Sequence, residues 1–194
     1  MKVWQHLKTI THHRHLVMLG CFKVGLYKQG LLHDLSKYAP TEFLIGARYY
    51  QGNRSPNAAE RDEKGYSEAW MHHKGRNKHH YEYWTDMNLA TQRYEPVPMP
   101  RRYLVEMVMD RRAACMTYQG SNYTSASPLN YFLTSKERAL MHPVTQRELE
   151  YVLTMLRDRG EVETFAFLRR LLKGEPFPWE QNDAPETAKK NGNA

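Results

Sequence analysis

Apolar positions recur along this chain at three- and four-residue intervals, and no stretch alternates apolar and polar residues for long. No Asn-Gly or Asp-Gly pair separates two strand-like runs either, so the pattern predicts an all-α fold. A first helix is expected from about Val3 to Gln29, with a break near Thr9–Thr11, and it places His13, Val17, Gly20 and Val24 on one face. Gly30 is expected to loosen the backbone before Leu31-Leu32-His33-Asp34. Thr41 is a candidate N-cap for a helix carrying Phe43, Leu44, Ala47 and Tyr50, which the Gly52–Pro56 segment ends.

Pro56 suits the first position of a short polar helix that Gly65 closes, and Ser67 is placed to cap the helix that carries Trp70, His72 and His73. A sharp connection over Lys74-Gly75-Arg76-Asn77-Lys78 leads to His79-His80-Tyr81-Glu82-Tyr83-Trp84. Pro96, Pro98 and Pro100 then form a stiff connector that launches a helix from about Arg101 to Tyr118. On that helix Tyr103, Met107, Asp110 and Ala114 share a face, so Asp110 is expected to point inward. Further helices are expected at Leu129–Met141, Pro143–Arg159 and Glu161–Lys173. From Gly174 the composition turns to Pro, Glu, Asn and Lys, which predicts one helical domain over 1–173 and a flexible tail over 174–194.

Composition narrows the function. The 194 residues suit a single core, and 28 Lys and Arg against 21 Asp and Glu leave +7, which favours anionic partners. No apolar run approaches the ~20 residues that span a bilayer, and the N-terminus lacks the apolar core of a secretory signal, so no membrane partner and a cytoplasmic location are expected. Cys21 and Cys115 lie in apolar stretches and read as reduced, structural thiols.

Histidine is the informative residue. Nine of the ten histidines fall within the first 80 residues, where even scattering would put about four. Neutral imidazoles beside carboxylates are what a divalent metal needs. The candidate ligands are His13, the adjacent His33 and Asp34, and Asp110, with His72, His73, His79 and His80 available for a second metal. Neighbouring helical residues point about 100° apart. At least one of the four is therefore expected to ligate but not all of them, with one imidazole of each doublet left to orient a ligand or meet substrate. The competing readings are that Asp110 forms a buried salt bridge with Arg14 or Arg48, and that His12 or His15 replaces His13. Lys37, three residues after Asp34, is the candidate catalytic cation, and Lys74, Arg76 and Lys78 are candidate substrate-binding cations. Tyr81, Tyr83 and Trp84 offer flat faces for a nucleobase, whereas Glu82 and Asp86 read as a solvated face.

The order of a His, a His-Asp pair, two histidine doublets and a late Asp resembles the HD superfamily of metal-dependent phosphohydrolases over roughly residues 10–118. His13 with Val17 four positions on, Leu31-Leu32-His33-Asp34-Leu35-Ser36-Lys37, and Asp110 are similar to that superfamily's ligand signatures. The chain also resembles a narrower bacterial family of short HD-like proteins that share Cys21-Phe22, Gly30-Leu31, His33 to Tyr38 and the block from Trp70 to His80. That family brings no established reaction. No Gly-Tyr-Pro follows the histidines, and Gly65-Tyr66 precedes them, so the resemblance does not extend to the cyclic-dinucleotide phosphodiesterases.

The resemblance implies an all-α HD-like domain holding one or two divalent ions (Mn, Fe, Ni, Co, Zn or Mg) and hydrolysing a small phosphate ester such as a nucleotide. It also admits a di-iron oxygenase acting on a small substrate. A basic helical module that binds nucleic acid through Lys74–Lys78 is the less favoured alternative, and self-association is compatible with all three.

Overall fold

The computed structural model describes residues 2–180. Among the described residues eight α-helices dominate: α1 (Val3–Val24), α2 (Tyr27–Leu32), α3 (Pro40–Tyr49), α4 (Pro56–Lys64), α5 (Glu68–Lys74), α6 (Arg101–Gln119), α7 (Ser127–Thr134) and α8 (Pro143–Leu171). Short 3-10 turns cover Leu35–Tyr38, Tyr81–Tyr83, Gly120–Asn122 and Lys136–Leu140. The domain is predominantly α-helical, as the apolar spacing predicts.

Helix α6 is central. Its residues from Leu104 to Met109 are all buried, because α1, α7 and α8 pack around it. Val17, Cys21 and Val24 of α1 meet Leu104, Val105 and Met109 in the core, with Leu129 and Phe132 of α7 and Leu149, Val152 and Leu153 of α8. Burying each large aliphatic side chain contributes about 1.5–3 kcal/mol. At Gly20 a Cβ would lie 2.9 Å from Met109 Sδ, so the missing side chain lets α1 approach α6 closely. That approach brings His13 of α1 beside Asp110 of α6.

Several local expectations are corrected. Helix α1 runs unbroken through Thr9–Thr11 and stops at Gly25, whose φ of 89° ends the helix in the left-handed region. Gly30 lies inside α2, where a Cβ would crowd Cys21 and Phe22 at 3.0 and 3.1 Å. Helix α3 starts at Pro40, with Ala39 rather than Thr41 at its N-cap. The expected Leu129–Met141 helix ends at Thr134 and gives way to the 3-10 turn. Pro56, Gly65 and Ser67 act as expected, Ser67 Oγ accepting from the Trp70 amide at 3.0 Å. Gly160, with φ 73°, marks the break between the two expected C-terminal helices within α8.

An antiparallel hairpin, β1 (Thr85–Asn88) and β2 (Arg93–Pro96), departs from the all-helical expectation, with Thr85 opposite Pro96 and Asn88 opposite Arg93. Asn88 Oδ1 accepts from the Ala90 amide at 2.9 Å, and Glu95 accepts from Asn88 Nδ2 and Thr91 Oγ1. Side-chain chemistry builds this turn without the glycine pair sought in the sequence.

The expected tail boundary also moves. Phe177 is fully buried, stacked on Trp179 at 4.8 Å, and Arg101 pairs with Glu180, so residues 174–180 strap onto the α6–α8 face. The remainder of that expected tail, 181–194, lies outside the described residues.

Glu148 of α8 is 4% exposed beneath this strap. Burial pushes its carboxyl up to about 7, with Arg101 opposing and Glu180 reinforcing the rise. From an ordinary value of 4.5 to about 7 the folded state holds the extra proton, so stability falls as pH rises through that window. Glu148→Gln is expected to stabilise the protein by about 2 kcal/mol at pH 8. At pH 4, where the carboxyl is protonated in both states, its effect should be close to zero; urea denaturation at the two pH values checks this.

Candidate metal centre

The centre begins with an abrupt end to α2. His33 has left the helix with ψ 128°, and Asp34 adopts the left-handed region at φ 53°, ψ 26°. An aspartate tolerates that conformation better than most residues. The consequence is that two adjacent side chains both turn inward, with His33 2% and Asp34 1% exposed. Arg14 holds the helix end by donating to the carbonyls of His33, at 3.0 Å, and Leu31.

Asp34 uses its two oxygens in two directions. Oδ2 lies 3.3 Å from His33 Nε2 and 3.8 Å from His13 Nε2, and Asp110 Oδ1 sits 2.9 and 3.4 Å from the His13 and His33 nitrogens. Oδ1 lies 3.3 Å from both His73 Nε2 and His79 Nε2, and His80 joins that side. Two groups of metal-ligand type therefore share one carboxylate: His13, His33, Asp34 and Asp110, and Asp34, His73, His79 and His80.

The donor atoms fit divalent cations. Asp34 Oδ1 and the Nε2 atoms of His33, His73, His79 and His80 are buried without a hydrogen-bond partner, whereas Asp34 Oδ2 meets Lys37 Nζ at 2.6 Å and His13 Nε2 meets Asp110 Oδ1 at 2.9 Å. Leaving so many polar atoms unsatisfied is costly, and a cation at each focus would satisfy them. Metal bonds of about 2.1 Å put neighbouring ligand atoms about 3.0–3.4 Å apart, which matches most of these separations. A set of imidazole nitrogens and carboxylate oxygens without thiolate suits Mn, Fe, Co, Ni or Zn.

Two further acids orient the imidazoles. His33 Nδ1 donates to Glu106 Oε1 at 3.0 Å, and His79 Nδ1 lies 3.2 Å from the same oxygen. His73 Nδ1 donates to Glu42 Oε2 at 2.8 Å, and His72 Nδ1 to Glu42 Oε1 at 2.6 Å. A carboxylate on Nδ1 is the usual second contact of metal-bound histidine. Against the effect of burial, the charge of Asp34 shifts His33 and His73 toward the protonated form, and a cation at Nε2 would take the place of that proton. Burial disfavours the ionised form of Asp34, but the charges of His33, Lys37 and His73 outweigh it and hold the carboxyl well below its ordinary range. Burial similarly opposes ionisation of Asp110, and its bonds to His13 and His33 overcome it. Burial keeps His13 and His80 toward the neutral, ligating form.

The two histidine doublets behave differently. In helical α5, His73 turns inward while His72 stays on Glu42, outside both ligand groups. His79 and His80 lie beyond the helix in a turn and an extended step, where neighbouring side chains are not held 100° apart, so both reach the same focus. Gly75 has an ordinary φ of −73°. The turn is held by Asn77 Nδ2, which donates to the His73 carbonyl and to Ser36 Oγ, each at 2.8 Å.

His12 and His15 are exposed, leaving His13 as the inward histidine of α1. Neither arginine proposed against Asp110 meets it: Arg14 caps α2, and Arg48 pairs with Glu63. Lys37 Nζ lies 2.6 Å from Asp34 Oδ2 at the edge of a cavity of about 900 Å³. His13, His73, His80 and Asp110 line the same cavity.

Lys74 lines it too, whereas Arg76 donates to the His72 carbonyl and Lys78 lies over the Tyr83 and Tyr103 rings, both away from the lining. Tyr81 and Glu82 line the cavity, but Tyr83 and Trp84 pack on each other outside it. Asp86 is exposed in the hairpin. The sequence reading missed both acids: the position of Glu106, four residues before Asp110 on one helix face, was the signal that could have found it, and Glu42 carried no such signal.

A sequence model of the DUF5662 family, described as a family of unknown function, matches residues 2–155. The chain belongs to that family. No curated protein and no solved structure matches the chain. The DUF5662 match contains every residue of both ligand groups together with Glu42 and Glu106.

Asp34→Asn is expected to abolish binding at both positions, and Asp110→Asn to abolish only the one it serves. Elemental analysis of folded, metal-loaded protein should then give two equivalents for wild type, one for Asp110→Asn and none for Asp34→Asn. Glu106→Gln, which disturbs two imidazoles without removing a ligand, is expected to weaken metal affinity about 10–100-fold.

Proposed function

We propose that this DUF5662 protein is a dinuclear metal-dependent phosphohydrolase of HD type acting on a small phosphate ester, with nucleotides among the candidates. The observation that carries the reading is the single buried Asp34 carboxylate shared by two ligand groups, of which His13, Asp110, His73 and His80 line a substrate-sized cavity. Divalent cations bound there would supply Lewis-acid stabilisation of phosphoryl oxygens and activate water for attack.

The chain's own residues supply the rest. His13, His33 and Asp110 on one side, and His73, His79 and His80 on the other, fix the two positions on either side of Asp34. Glu106 and Glu42 hold the imidazole rings in place. Lys37, whose ammonium lies against Asp34 at the cavity wall, is placed to donate to a phosphoryl oxygen and offset its charge as the ester bond breaks. Arg61 and Lys74, which line the cavity without an ion-pair partner among the described residues, favour an anionic substrate over the neutral small molecule an oxygenase would oxidise.

Metal-loaded protein assayed against a panel of nucleotide phosphates and p-nitrophenyl phosphate should release orthophosphate, and chelation should stop the release. Lys37→Ala is expected to lower kcat by about 100-fold while metal content stays at the wild-type level. A metal-replete protein that releases no phosphate from any ester, or that consumes O₂ with iron bound, would contradict the reading.

A further inference from the structure

The cavity is much larger than the phosphoryl group the two cations would hold, so part of its wall must meet the rest of the substrate. Of the cations on that wall, Lys37, Arg54 and Arg111 are ion-paired with Asp34, Asp62 and Glu137. Among the described residues, Arg61 and Lys74 have no carboxylate within 4.0 Å. Arg111 is only partly satisfied, because its Nε is buried without a hydrogen-bond partner.

These cations gather at one end of the cavity. The Tyr131 hydroxyl sits in the combined field of Glu137, Arg111 and Arg61, and the Glu82 carboxyl in that of Glu137 and Lys74. The same end adjoins the metal centre. Lys74 follows the ligand His73, Arg111 follows Asp110, and the Arg61 guanidinium lies 5.4 Å over the Trp70 ring, which itself packs on His73 and His80.

We propose that Arg61, Lys74 and Arg111 form a second anion subsite, so that the substrate carries a further phosphate or carboxylate besides the group held at the metals. This rests on the phosphohydrolase reading and narrows its substrate class to bis-anionic esters. Arg61 is exposed and Lys74 half-buried, neither with an ion-pair partner among the described residues, and Arg111 keeps a free Nε beside its pairing with Glu137. Such unpaired donors bind an anion through charge-assisted hydrogen bonds, and the planar arginine forks match phosphate or carboxylate oxygens. Trp70 holds the Arg61 guanidinium flat on its face and so keeps that fork in place.

The test uses metal-loaded protein and non-hydrolysable probes: butylphosphonate against a series of α,ω-bisphosphonates of increasing methylene length, with affinities measured by calorimetry. At least one bisphosphonate should bind about ten-fold or more tightly than butylphosphonate in wild type. An Arg61→Gln/Lys74→Gln double variant, checked for wild-type metal content, should lose most of that advantage. The subsite is overturned if butylphosphonate binds and no bisphosphonate gains over it, or if the folded double variant keeps the gain. The wild-type comparison decides the matter even where the double variant fails to fold. Failure of butylphosphonate itself to bind metal-replete protein would instead count against the phosphohydrolase reading.

Discussion

The structure depends on one buried carboxylate. Asp34 is 1% exposed, held in the ionised form, and its two oxygens face four imidazole nitrogens and the Lys37 ammonium. Such a concentration of buried polar groups is costly, and cations between the ligands would offset that cost. Helix α2 ends where it does, with Asp34 in the left-handed region, so that both His33 and Asp34 face inward. Helix α1 crosses α6 closely at Gly20 so that His13 and Asp110 meet.

Outside the ligands, the same economy recurs in the acids behind them. Glu106 serves one histidine from each ligand group, which couples the two positions through a single side chain on the central helix α6. Glu42 uses one oxygen for His73 and the other for His72. His72 therefore matters to the centre without joining a ligand group, because it holds the acid that orients His73. Away from the ligands, Arg61 of α4, Lys74 at the end of α5 and Arg111 after Asp110 border the cavity, where the proposed second anion subsite would sit.

Helical periodicity made the helices and the inward faces of His13 and Asp110 legible, since both rest on three- and four-residue spacing. It also separated His72 from His73 in kind, because α5 is a true helix. It could not anticipate that His79 and His80 both reach the second group: their backbone is a turn, where the 100° rule does not apply. Glu42 was invisible because its partners lie thirty residues away in the chain, and contact at that separation is set by how α3 packs on α5. The hairpin escaped notice because Asn88, Thr91 and Glu95 build its turn through side-chain hydrogen bonds rather than through glycine. Arg76 and Lys78 look like phosphate ligands by their place between histidine doublets, yet the turn that brings His79 and His80 inward carries those two cations away from the cavity.

The most direct measurement is a crystal structure of the manganese-loaded protein with anomalous scattering at the metal edge. Two peaks are expected, one among His13, His33 and Asp110 and the other among His73, His79 and His80, with Asp34 touching both. A folded, metal-saturated crystal showing no peak at Asp34, or one peak served by only one of its oxygens, would contradict a dinuclear centre built on that carboxylate.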